Sequence, residues 1–351
     1  MPSDVPHRFD ASLARFVQRH FLWLLVACYV LAAFWPAHGL AMRLWQWKPA
    51  ALGSVALPVP QFLLAVMLFS AALLTDVGHL RIAFDHPYVL AAALLAVWLG
   101  PVLLVLVAGL VVPWAIDVNT RSGLLVGLAL VATMPVANSS VAWAQHVGGN
   151  LGLSIALVVV SILLSPWVTP QLLTLLGMSL SEGERAYCAA LVNQFSGLFF
   201  IGWVILPTLV GFLGRFAFPP VRIAAAKSWL NLVSASALLL LNYMNCALAL
   251  PQIRQSPVSL LVATALLATM LSVVGLCTGW LVAWLMRLKP ETRSAMMFGL
   301  SMKHTGLALI LAGAVLTGAP IATLMIVLAT LMQHLLAGIV QPWMNSVSRP
   351  S

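Results

Sequence analysis

Charged residues punctuate this chain at intervals too long for a soluble fold. No Asp, Glu, Lys or Arg occurs between Arg19 and Arg43, between Lys48 and Asp76, or between Asp85 and Asp117. The same holds between Arg185 and Arg215, between Lys227 and Arg254, and between Arg254 and Arg287. Each gap fits one bilayer-crossing helix of about 20 residues. Two further gaps are longer. Ser122–Ser181 carries no charge, and Lys303 is the only charge between Arg293 and Arg349, so each stretch holds two helices. The pattern predicts ten spans in an all-α membrane protein. The runs are continuously apolar rather than alternating, which argues against a transmembrane β-barrel.

Composition sharpens this picture. Of 351 residues, 62% are hydrophobic and 7% charged, against roughly 25% charged in a soluble domain. Mean hydropathy is +1.04. A soluble enzyme, a disordered chain and a nucleic-acid-binding domain are excluded. The net charge of +9 fits basic loops beside anionic lipid. Ten spans put both termini on one side. That side collects Arg8, Arg15, Arg19, Arg81, Arg215, Arg222, Lys227, Arg287, Lys289, Arg293 and Arg349; the other has only Arg43, Lys48, Arg121, Arg185 and Arg254. The bias predicts cytoplasmic termini in a bacterial-type plasma membrane. Residues 1–20 read as a cytoplasmic or interfacial segment, with Phe9, Leu13, Phe16 and Val17 at helical spacing. No cleavage site follows, so the first helix is expected to be retained. Trp23, Trp35, Trp45, Trp47, Trp114 and Trp343 fall near predicted span ends, as an interfacial belt does.

Catalytic chemistry is not written here. All eight carboxylates fall in predicted tails or loops, and neither GxSxG nor HExxH occurs. Cys28, Cys188, Cys246 and Cys277 are scattered in apolar stretches without a CxxC, so they read as small hydrophobes. The histidines do not cluster with carboxylates at metal spacing. No metal and no cofactor is expected.

The halves of the chain carry a repeat. Thr120-Arg121-Ser122 precedes span four, and Thr292-Arg293-Ser294 precedes span nine. Each triplet leads into an apolar run broken by polar residues, at Pro135-Val136-Ala137-Asn138-Ser139-Ser140 and at Ser301-Met302-Lys303-His304-Thr305-Gly306. Five spans per half is an odd number, so the halves are inverted. Interrupted helices at matching places in inverted halves point to a secondary transporter. Pro135 removes a backbone donor, and the freed groups must face protein, water or ligand. Gly123-x-x-x-Gly127 and Gly275-x-x-x-Gly279 predict close helix packing.

At these residues the chain resembles the bile acid:sodium symporter family. Pro135 to Pro170 reads PVANSSVAWAQHVGGNLGLSIALVVVSILLSPWVTP, where the family has a pattern close to PGGxxSNxxxxLAxGNxALSxxxTxxSTLxxPxxTP. Pro135, Ser140, Gly149, Asn150, Ser154, Ser161, Pro166, Thr169 and Pro170 match. Met302–Ala308 reads MKHTGLA, where the family has MQNSGLA. Phe62 to Pro87 resembles the second span and its loop more loosely. The resemblance implies two inverted five-helix repeats with discontinuous, crossed helices four and nine. It implies panel helices at 21–75 and 186–250, core helices at 78–180 and 255–347, and substrate held between core and panel.

The family's sodium ligands are largely replaced. Its Ser-Asn pair falls on Ser140-Val141, and its Ser and Thr on span five fall on Ser154 and Val158. Its Glu, Gln and Asn on span nine fall on Gly299, Lys303 and His304, and its Gln on span three falls near Ala96 and Val97. Sodium is therefore disfavoured. A mid-membrane lysine costs about 3 kcal/mol or more and is usually functional. Lys303 is expected to take the place of a sodium ion, with Ser140, Ser154 and His304 around it. A plainer reading makes it a permanent charge that ties two helices. Asn138, Ser139, Thr305, Asn193, Gln194, Asn242 and Asn245 are the substrate-binding candidates. Capping competes at Asn138 and Ser139, and interhelical hydrogen bonding competes at the other amides. The expected function is alternating-access transport of a small organic anion, bile-acid-like, steroid-sulfate-like or a small carboxylate. Sodium coupling through other ligands and a channel are the alternatives. Membrane lipid is an expected partner, nucleic acid is not, and no oligomeric state is legible.

Overall fold

A computed structural model describes residues 13, 16–17, 20–47, 57–75, 86–112, 117–195, 200–253, 257–316 and 318–348. Most of the N-terminal segment, the 76–85 loop and Trp114 lie outside the described residues.

The chain forms two compact units. The smaller comprises Met1–Thr75 and Leu198–Pro251. It contains α1 (Phe21–Phe34), α2 (Pro36–Leu44), a short antiparallel ribbon of β1 (Gln46–Trp47) and β2 (Leu57–Pro58), then α3 (Val59–Leu74). A π-helical turn (Ile201–Ile205), α9 (Leu206–Ala217) and most of α10 (Pro220–Ile253) complete it. The ribbon departs from a purely helical expectation: Gln46 pairs with Pro58 and Trp47 with Leu57, bringing together the two ends of a loop. α1 and α2 meet at a 97° bend. Pro36 causes it, because it has no N–H to continue α1 but suits the first turn of α2.

The larger unit comprises Asp76–Gly197 and Gln252–Ser351. It contains α4 (Pro87–Val111), α5 (Val118–Thr133), α6 (Ser139–His146), α7 (Leu151–Ser179) and α8 (Glu182–Phe195). The second stretch adds α11 (Val258–Leu285), α12 (Pro290–Ser301), α13 (Thr305–Val315) and α14 (Pro320–Ser348). α5, α12 and α13 form its centre: Leu125, Phe298 and Leu311 are each 0% exposed. Helices apolar all round belong in such a core. α4 instead turns Leu95 and Leu110 outward, 73% and 82% exposed, a face suited to lipid. Glycines bring the centre together. A Cβ on Gly275 would lie 2.5 Å from the Leu300 carbonyl, and one on Gly279 would lie 2.7 Å from the Met297 Cα, so α11 packs backbone to backbone on α12.

The protein is an integral, multi-span helical membrane protein. α4, α7, α10, α11 and α14 are long and apolar enough to cross a bilayer, and the bent α1–α2 pair makes six. α3, α5, the 201–217 segment and α13 are shorter apolar helices. Trp23, Trp35, Trp45, Trp47 and Trp343 are exposed.

Candidate functional site

The two sequence breaks meet inside the larger unit. α5 stops at Thr133, ahead of Pro135, and α12 stops at Ser301. The freed backbone is satisfied by pairing one break with the other. Val136 and Lys303 form an antiparallel bridge. The Ala137 N–H donates to the Met302 carbonyl at 3.0 Å, and the His304 N–H donates to the Pro135 carbonyl at 2.9 Å. The central amides go elsewhere. Val136 N–H donates to Ser161 Oγ on α7, and Lys303 N–H donates to Gln333 Oε1 on α14, each at 3.0 Å. Each break is thus braced by a side chain from the long helix that closes its own half.

Lys303 is 2% exposed. Its ammonium donates to the Val97 carbonyl and, at 3.4 Å, to the Met134 carbonyl. Both acceptors lack a helical donor, one because of a proline and one because its helix ends. Val97 O would accept from residue 101 in a regular helix, but that residue is Pro101, inside α4, which has no N–H to give. Met134 is the C-cap of α5, immediately before Pro135. C-terminal helix carbonyls carry partial negative charge. The ammonium therefore rests in a nest of backbone oxygens, the kind of environment a hard cation takes.

His304 caps the following half-helix, its Nδ1 accepting the Leu307 N–H at 3.2 Å. An accepting Nδ1 leaves the neutral ring's proton on Nε2. Thr305 opens α13 and is buried. Ser154 is buried, with its hydroxyl donating to the Asn150 carbonyl at 3.1 Å. Ser140 is buried, and its hydroxyl has no hydrogen-bond partner among the described residues. Neither serine is a partner of the ammonium. Asn138 and Ser139 are half-buried at the start of α6; Asn138 makes no capping bond, and Ser139 Oγ lies 3.6 Å from Met302 Sδ.

The remaining candidates sit elsewhere. Asn193 is exposed and Gln194 half-buried on α8, which groups with the larger unit. Asn242 and Asn245 are fully buried on α10 in the smaller unit. Their amides donate to Leu238 and Leu241 carbonyls at 2.8 and 2.7 Å, and their oxygens accept from Tyr29 and Arg43.

Several contributors escape a sequence reading. Ser161 was visible only as a family match, and Gln333 only as a polar residue in the last span. Val97 acts through its backbone; the signal was a proline four residues later. Glu184 reads as a loop residue but is fully buried. It accepts from Arg121 at 2.9 Å and from Ser122 Oγ at 3.1 Å, while Arg121 also donates to the Gly109 carbonyl at 3.1 Å. The first triplet of the repeat is therefore the anchor of an ion pair.

The sequence pattern of the Sodium Bile acid symporter family matches residues 61–256, more than half of the chain. The chain belongs to this family. The match includes the first break and ends before the second, so Lys303 and His304 lie beyond it. No curated protein sequence matches the chain significantly. Membership in a symporter family makes the protein a secondary transporter rather than an enzyme. Among the described residues, no group of three His, Cys, Asp or Glu side chains is placed to hold a metal.

Proposed function

We propose that this symporter-family protein carries an organic anion by alternating access and does so without sodium. The observation that carries the reading is the Lys303 ammonium on two backbone carbonyls without helical donors, at the meeting of the broken helices. A tethered cation there does what a bound sodium ion would do: it neutralises carbonyl dipoles and joins α4, α5 and the second break. No gradient is needed to load it. The half-helices that start at Ser139 and Thr305 offer positive ends to an anion, with Asn138, Ser139 and His304 beside them. The substrate class is a bile-acid-like, steroid-sulfate-like or small carboxylate anion.

The reading includes ten spans in two inverted halves, a bacterial plasma membrane and cytoplasmic termini. The matched bracing of Val136 by Ser161 and of Lys303 by Gln333 supports inverted halves. The burial of Arg121 with Glu184 supports putting both on the side opposite the termini. Retained sodium coupling is the second reading, and the unpartnered Ser140 hydroxyl favours it. Uptake of labelled taurocholate, estrone sulfate and a small keto acid into proteoliposomes tests the two. Saturable uptake of one of them, unchanged when potassium replaces sodium, is expected. Uptake that requires sodium contradicts the proposal.

A further inference from the structure

The smaller unit contains a cation that meets no carboxylate among the described residues. Across Met1–Thr75 and Leu198–Pro251 the only acids are Asp4 and Asp10. Both lie outside the described residues. Arg43 lies in the last turn of α2. It is half-buried, and its Nη1 donates to Asn245 Oδ1. Among the described residues it meets no carboxylate.

Its position is built rather than incidental. The Asn245 amide is tied to its own helix through the Leu241 carbonyl at 2.7 Å, which leaves the side-chain oxygen for Arg43. Tyr243 Oη donates to the Trp35 carbonyl at 2.8 Å and pins the bend. A Cβ on Gly39 would lie 2.5 Å from Ala247 Cβ, so only glycine lets α2 lie this close to α10. A long, entropy-rich side chain is therefore held in place by one neutral amide. The rest of its planar fork of five donors is matched to an oxyanion. Exposed Met42, Leu44 and Trp45 flank it, at 44%, 78% and 63% exposure, an apolar surface beside the charge.

We infer that Arg43 is the cationic centre of a binding site for an amphipathic oxyanion. The head would be a carboxylate, sulfonate or phosphate on the guanidinium, and the apolar body would lie along Leu44 and Trp45. A membrane phospholipid and a soluble organic anion share this chemistry. The site stands whether or not Lys303 replaces sodium.

Thermal unfolding of the full-length protein at constant ionic strength tests it. One arm adds submicellar taurocholate; the other compares nanodiscs of phosphatidylglycerol with nanodiscs of phosphatidylcholine. The wild type should gain stability in at least one arm. Arg43→Gln should weaken that binding by about tenfold or more, the worth of a charge-assisted hydrogen bond pair. Arg43→Lys should weaken it less, since charge survives without the bidentate fork. Should the glutamine variant fail to fold, the lysine variant decides alone. A loss confined to taurocholate assigns the site to a soluble anion, and a loss confined to phosphatidylglycerol assigns it to a lipid head. Increments equal to wild type in both arms for the folded variant overturn the inference.

Discussion

Arg121 and Lys303 are both buried cations in the larger unit, at 4% and 2% exposure, yet they are neutralised in opposite ways. Arg121 has a carboxylate, Glu184, which is braced in turn by Ser122. The group is an ion pair joining the end of α4 and the starts of α5 and α8. Lys303 has, among the described residues, carbonyl oxygens only. A paired charge is neutralised by its own partner and needs no ion from outside. An ammonium on a carbonyl nest has dipoles rather than a counter-charge beside it, the kind of place an exchangeable cation takes. The first arrangement is architecture; the second is the one we propose substitutes for an ion.

Breaking each in turn should show this difference. Glu184→Gln leaves Arg121 buried without its carboxylate and should destabilise by about 3–5 kcal/mol. Thermal melting measures it, and the double Arg121→Leu, Glu184→Leu variant should recover much of the loss, as apolar replacement of buried pairs does. A single variant that melts like the double would remove the ion pair from the account. Lys303→Met should come next, at about 2–3 kcal/mol, because it orphans two buried carbonyls. Gln333→Leu and Ser161→Ala each orphan one amide at a break and should each cost about 1–2 kcal/mol. Similar losses are expected of equivalent positions in two halves; a loss in only one would argue against equivalence. Smallest of all, Pro101→Ala restores an N–H donor for the Val97 carbonyl. Its effect on melting should stay within about 1 kcal/mol, since a helical hydrogen bond replaces part of the ammonium's contact. Transport should fall nonetheless, and an unchanged rate would separate Val97 from the working site.

Much of this was legible in the sequence, for definite reasons. Charge spacing located the apolar segments, because a charge in lipid is costly enough to be rare. Pro135 and Lys303 marked the two breaks. Charge spacing also misread Glu184 as a loop residue, since its partner Arg121 is 63 residues away and burial of a pair leaves no local signature. The 97° bend at Pro36 was hidden inside what reads as one charge-free run. The Lys303 nest was half visible: the cation has a letter, but its acceptors are backbone atoms. Only the placement of Pro101 four residues after Val97 hinted at an empty carbonyl. Asn242 and Asn245 stood out by their i, i+3 spacing, which places them on one face. That spacing does not say what faces them, and the structure puts Tyr29 and Arg43 there.

The central claim is that Lys303 stands where the family's sodium would. The most direct measurement is the melting temperature of the purified protein in NaCl and in KCl at equal ionic strength, for the wild type and for Lys303→Gln. A ligand that binds only the folded state raises stability by RT ln(1 + [L]/Kd). The account predicts no difference between the salts for the wild type and a sodium-specific rise for Lys303→Gln. A sodium-specific rise in the wild type would contradict it.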